Sequence, residues 1–155
     1  MPDTTDFVEW DDRYLVNIPL IDTQHKELIR LTNDLYQGCL MGDDAARAYF
    51  MKTIKSVVDY VAIHFSTEEK ILVKIKYPGY EAHKNQHEEF VKKVLEDVKD
   101  FGEGKKFVPN LFVRYLKDWI FSHIAMDDKR YSEYIFNLKR KGLLKSAAAS
   151  SGRQG

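Results

Sequence analysis

A single cysteine, Cys39, is all the thiol the 155-residue chain carries. A lone cysteine excludes an intrachain disulfide and suits a reducing compartment, so the cytoplasm is the expected location. No apolar run approaches the roughly 20 residues needed to span a bilayer, which argues against membrane insertion. An excess of one charge is missing as well: 24 basic and 24 acidic residues cancel. The chain therefore has no global attraction to nucleic acid or anionic lipid. Residues 1–10 carry acids where a leader would carry a basic patch and an apolar stretch, so no secretory signal is expected. Strand signals are few, no internal repeat occurs, and no linker divides the chain. This length favours one domain with a sizeable core.

What is present is helical periodicity. Apolar residues make up 44% and aromatics 13%, enough to argue against disorder. Four segments show apolar side chains at spacings of three and four. The first runs from Pro19 to Cys39 with Ile21, Leu28, Leu31, Leu35 and Cys39 near one face. Pro19 suits a first helical turn, where its missing N–H is not needed. The second runs from about Asp44 to Val73, with Asp43 or Asp44 available as its cap. Its stripe is Phe50, Ile54, Val57, Val58, Val61, Phe65 and Leu72. Tyr77-Pro78-Gly79 is a turn. A third helix, about Tyr80 to Phe101, turns Phe90, Val91, Val94 and Val98 inward. After a loop from Gly102 to Val108, a fourth runs from Pro109 to about Asp127 with Phe112, Leu116, Trp119, Ile120 and Ile124. A short helical extension covers Lys129 to Lys139. The expected fold is all-α, an antiparallel up-down four-helix bundle with a short C-terminal helix. It occupies residues 1–145, and the small, polar segment 146–155 is expected to be disordered.

The five histidines all fall on inward stripes. His83 and His87 lie one turn apart on the face continued by Phe90, Val91 and Val94. His64 and Glu68 repeat that spacing on the second helix. Periodicity turns Glu68 inward and Glu69 toward water, and a buried Glu needs a partner or a metal. His25 stands between Ile21 and Leu28, and His123 among Trp119, Ile120 and Ile124. Each of these last two, taken singly, reads more readily as a hydrogen-bonded core residue than as a ligand. Asp127 and Asp128 both follow His123, and a spacing of five fits an α-helix poorly, so spacing leaves the choice between them open. Jointly the five point to a metal centre, because five buried imidazoles without ligands to share would need many compensating hydrogen bonds. That set is too large for one four-coordinate zinc. It suits two metals joined by carboxylates, and thiolate-free imidazole ligation suits iron among a few first-row ions.

The ordered set His25, His64-Phe65-Ser66-Thr67-Glu68, His83-Lys84-Asn85-Gln86-His87 and His123-Ile124-Ala125-Met126-Asp127-Asp128 resembles the complete ligand set of hemerythrins. The stretch from Trp10-Asp11 through Ile18-Pro19-Leu20-Ile21-Asp22-Thr23-Gln24-His25 resembles the N-terminal arm and first helix of bacterial members. The resemblance covers about Phe7 to Leu138. It implies two iron ions with a bridging oxo or hydroxo group. His83, His87 and His123 would hold one iron, His25 and His64 the other, and Glu68 and Asp128 would bridge them. The resemblance thereby selects Asp128 over Asp127. It further implies reversible dioxygen binding, as peroxide at the five-coordinate iron, for carriage, storage or delivery and not for catalysis. Leu28, Phe65, Trp119, Ile120 and Ile124 match the family's apolar dioxygen pocket, and they are core residues in any case. Glu-x-x-His motifs, the signature of carboxylate-rich di-iron enzymes, do not occur in the sequence. The expected partner besides dioxygen is an oxygen-consuming enzyme or a redox protein. The alternatives are a di-iron oxidase, a peroxide- or nitric-oxide-handling enzyme, and an oxygen or iron sensor.

Overall fold

Pro19 opens the first long helix at its first turn, and everything that positions the histidines follows from there. The computed structural model of the chain describes residues 7–104 and 109–143. The 146–155 segment and part of the loop after Gly102 lie outside the described residues. Helix α1 spans Pro19–Cys39, α2 Asp43–Lys74 and α3 Tyr80–Gly102. Helix α4, Pro109–Ser122, passes without a break into a π-helical turn, His123–Asp128, and then into α5, Lys129–Arg140. Among the described residues there is no strand.

Two of the sequence boundaries shift for local reasons. Neither Asp43 nor Asp44 caps α2: Gly42 occupies the cap position at φ 95°, without a side-chain bond, and the helix begins at Asp43. The fourth helix does not run through to Asp127, because the backbone widens to π geometry from His123 onward.

Short connections force consecutive helices to run antiparallel. Ring contacts record the result. Phe50, near the start of α2, meets Phe101 near the end of α3 and Phe112 near the start of α4, with ring centroids 4.9 Å and 5.3 Å apart. The apolar stripes meet along the axis in a core that includes Leu28, Leu35, Phe50, Ile54, Val57, Phe65, Phe90, Val94 and Leu116. Burying each such side chain contributes about 1.5–3 kcal/mol, which offsets the cost of holding polar groups in the same interior.

The opposite end is closed by α5. Tyr131 and Ile135 pack on Ile18, Ile21 and Leu72, and Ser132 Oγ donates to the Val16 carbonyl at 2.9 Å. The N-terminal arm lies along α1. Asn33 grips it twice, accepting from Val8 N–H at 2.7 Å and donating to the Val8 carbonyl at 2.9 Å. Val8 and Tyr14 thereby cover Ile29, Ile120 and Ile124. A polar layer remains between the long apolar core and the α5 end.

Candidate metal centre

That layer contains His25 from α1, His64 and Glu68 from α2, His83 and His87 from α3, and His123 and Asp128 from the π turn. All seven are buried, and Glu68 and Asp128 have no exposed surface. The structure brings together every ligand residue expected from the sequence.

The two carboxylates face two groups of histidines. Glu68 Oε1 lies 2.6 Å from His83 Nε2, 3.1 Å from His87 Nε2 and 3.8 Å from His123 Nε2. Glu68 Oε2 lies 3.7 Å from His25 Nε2 and 3.5 Å from His64 Nε2. Asp128 repeats the division, with Oδ1 3.1 Å from both His83 and His123 and Oδ2 3.1 Å from His25. Each carboxylate thus has one oxygen toward a group of three imidazoles and one toward a group of two. Two clusters of candidate ligand atoms, Glu68 with His83, His87 and His123, and Glu68 with His25 and His64, each fall within 4.8 Å.

Outer contacts aim the rings. Gln24 Oε1 is 2.8 Å from His64 Nδ1, Glu69 Oε2 3.0 Å from His87 Nδ1, and Gln86 Oε1 3.1 Å from His123 Nδ1. An acceptor at Nδ1 fixes the proton there and leaves Nε2 as a lone pair toward the centre. Phe65 stacks on His87 at 3.8 Å and Trp119 on His123 at 4.2 Å, which fixes both ring planes. The Tyr131 hydroxyl donates to Glu68 Oε2 at 2.9 Å. Glu69 was expected to point to water, yet its carboxylate turns back to His87. Sequence periodicity singles out none of Gln24, Glu69, Gln86 and Tyr131 as functional. Their one available signal is adjacency to ligands, since Gln24, Glu69 and Gln86 each directly neighbour one in sequence.

The residues fit a metal pair. His87 Nε2 and His123 Nε2 are 3.1 Å apart. Two nitrogens bound at right angles to one ion, at metal–nitrogen distances of about 2.1 Å, would be separated by about 3.0 Å. No well-aligned hydrogen bond satisfies the buried ring nitrogens of His25 or the carboxylate oxygens of Asp128, although the two residues approach to 3.1 Å. Leaving such groups unsatisfied costs about 1–3 kcal/mol each, and more for a charge; a cation satisfies them.

Electrostatics tell the same story. Burial alone would depress the His25 and His83 imidazoles, but the Asp128 and Glu68 carboxylates beside them lift both to about 9. His123 is raised as well, against its burial, by Asp128, Asp127 and Glu68. Burial pushes His64 down to about 4. Burial would raise both Glu68 and Asp128, yet the surrounding histidines hold both carboxyls below their ordinary range. The site demands positive charge, and protons supply it when metal does not.

Beside the ligands lies a cavity of about 10 Å³, room for one water-sized molecule. Leu28, Phe65, Trp119 and Ile120 line it, together with Thr32, Val57, Val61, Phe90 and Leu116. Thr32 Oγ1 donates to its own helix at the Leu28 carbonyl, 2.8 Å away, so the lining is effectively apolar. Leu28 and Val61 stand one helical turn from His25 and His64, while Phe65 and Trp119 stack on His87 and His123, so the lining touches both histidine groups. Ile124 is outside this lining, packed with Ile29 and Ile120 under the arm.

A four-helix bundle with a buried histidine–carboxylate cluster is a metal-binding protein of the all-α class. The family model described as the Hemerythrin HHE cation binding domain matches residues 16–135, and the chain belongs to that family. It is 34% identical over 126 residues to a bacteriohemerythrin of Stenotrophomonas maltophilia (strain R551-3), covering 81% of this chain and 80% of that protein. A bacteriohemerythrin of Methylococcus capsulatus (strain ATCC 33009 / NCIMB 11132 / Bath) is 31% identical over 74% of this chain and 86% of its own length. A crystal structure of wild-type hemerythrin superposes with a TM-score of 0.76 at 29% identity, covering 82% of this chain and 96% of that one.

Proposed function

We propose that this protein binds dioxygen reversibly at a pair of iron ions. His83, His87 and His123 would hold one iron, His25 and His64 the other, and Glu68 and Asp128 would serve both. The observation that carries this reading is the division of both carboxylates between a three-histidine and a two-histidine group. With equal bridges, the group of two would leave its ion one position short, and an apolar cavity lies beside the centre.

When bound, two ferrous ions would supply the two electrons by which dioxygen is held. The chain's own residues make that binding reversible. Leu28, Phe65, Trp119 and Ile120 keep water out of the cavity, Ile124 backs Ile120, and Gln24 holds the His64 ring in line. Five neutral imidazoles and only two carboxylates donate little negative charge, which opposes further oxidation and favours a carrier over an enzyme. The relatives named bacteriohemerythrin agree with a non-enzymatic role. Among the described residues no helix is long and apolar enough to cross a membrane, and we place the protein in the cytoplasm, supplying an oxygen-consuming enzyme or meeting a redox partner there.

The test is metal analysis with absorption spectra of the anaerobically reduced protein, before air, after air and after return to argon. Two irons per chain and a visible band that appears in air and disappears under argon are expected. One zinc per chain, or irreversible oxidation at first exposure, overturns the reading.

A further inference from the structure

Tyr131 is fully buried, yet dioxygen binding gives it nothing to do beyond one hydrogen bond. Its ring lies edge-on to His83 with centroids 5.5 Å apart, and its hydroxyl donates to Glu68 Oε2 at 2.9 Å, so it contacts two proposed ligands at once. On its far side stands Tyr77, centroids 6.3 Å away, and beyond that Tyr134 at 5.3 Å from Tyr77. Tyr77 and Tyr134 are both partly exposed. Three phenols in near-contact therefore run from the centre of the bundle to the surface of α5. Phenols are among the few side chains that can lose one electron and regain it.

We propose that Tyr131, Tyr77 and Tyr134 form a conduit that carries oxidising equivalents out of the metal centre when a peroxide reacts there, protecting the ligands from oxidation. Tyr131 gives one electron inward while its phenolic proton shifts along the hydrogen bond to Glu68 Oε2. Tyr77 returns an electron to Tyr131, and that proton slides back. Tyr134 restores Tyr77 and releases its own proton to solvent, leaving a tyrosyl radical at the surface. Two such passages deliver two electrons; with two protons taken up from solvent, equal to those Tyr134 releases, they convert one hydrogen peroxide into two waters. After each passage one molecule of a soluble thiol returns a hydrogen atom to the Tyr134 radical, and the two thiyl radicals so formed couple as one disulfide. The inference rests on a redox-active metal pair, but not on reversible dioxygen binding, which the air–argon spectra test separately.

The experiment treats the iron-loaded full chain with hydrogen peroxide in the presence of a nitroso spin trap. Peptide sequencing by mass spectrometry then places the adduct. The expected adduct is on Tyr134. In Tyr77→Phe it falls at least tenfold, while iron content and the far-ultraviolet circular dichroism spectrum stay unchanged. In Tyr134→Phe it moves to Tyr77. The zinc-loaded chain gives none. The stacked pair of Trp119 and His123 is the competing exit. Adduct on Trp119 or Tyr115, adduct spread over all exposed tyrosines, a Tyr134 yield unaffected by Tyr77→Phe, or an equal yield with zinc each overturns the proposal.

Discussion

His123 Nε2 and Asp128 Oδ1 meet at 3.1 Å across a single π-helical turn. A residue five positions on falls off the face of an α-helix, whereas the wider π turn brings it back into line. Asp127, the residue a regular helix would present, is displaced to the Nδ1 side of His123, 3.7 Å away and partly exposed. Asp128→Asn should therefore lower bound metal to one ion per chain or less, while Asp127→Asn should keep two. Metal analysis of the two purified variants checks this, and the opposite ranking would show that the π turn does not select the ligand.

The same turn marks where the sequence stopped being legible. The starts of α1, α3 and α4, the inward stripes and the burial of all five histidines could be read from periodicity of 3.6 and from Pro19 and the Tyr77-Pro78-Gly79 turn. Asp128 could not, because one extra residue in a helix leaves composition and hydrophobic pattern unaltered. Only the resemblance to a known ligand set selected it. Glu69 was misread for a related reason: a long side chain at the edge of a stripe can turn either way, and His87 on the neighbouring helix decides. Contacts between helices, such as Gln24 with His64 or Tyr131 with Glu68, have no local signature at all.

Ile120 walls the small cavity and supports Ile124 beneath the arm. Ile120→Ala should cost about 2–4 kcal/mol of stability through the space it opens. Two irons should still bind, because no ligand contact is touched. The enlarged cavity admits water, so the oxygenated form should decay faster. Decay followed by its visible band, at fixed temperature and pH, measures this; an unchanged rate would remove Ile120 from the pocket.

Lys76, two residues past the end of α2, sits at φ 55°, in the left-handed region that side chains with a Cβ resist. The backbone bonds from Tyr77 N–H to the Leu72 carbonyl and from Lys76 N–H to the Val73 carbonyl hold it there. Lys76→Gly should relieve the strain and raise stability by about 1 kcal/mol. Denaturant unfolding at matched metal content gives the comparison. A loss of stability would mean that the lysine side chain contributes more than its backbone costs.

Removing the metal should make stability depend on pH in a direction set by the histidines. In the metal-free protein His25 and His83 are lifted to about 9, above the unfolded value of about 6.5. Their stabilising contribution is complete below that unfolded value and is lost as pH rises through about 9. His64 works the other way: held down at about 4, it withdraws stability as pH falls below about 6.5. Glu68 and Asp128, held low by the same imidazoles, add to the acid-side loss as they protonate. The metal-free protein should therefore be most stable near neutrality and weaken on both sides. Metal replaces the protons on His25 and His83, so the loaded protein should lose the alkaline decline, and loading at neutral pH should release protons. Melting temperatures of both forms between about pH 4 and 10, with proton release read in weakly buffered solution, decide the matter. A metal-free protein no less stable near pH 10 than at neutrality would show that the centre is not held together by shared protons.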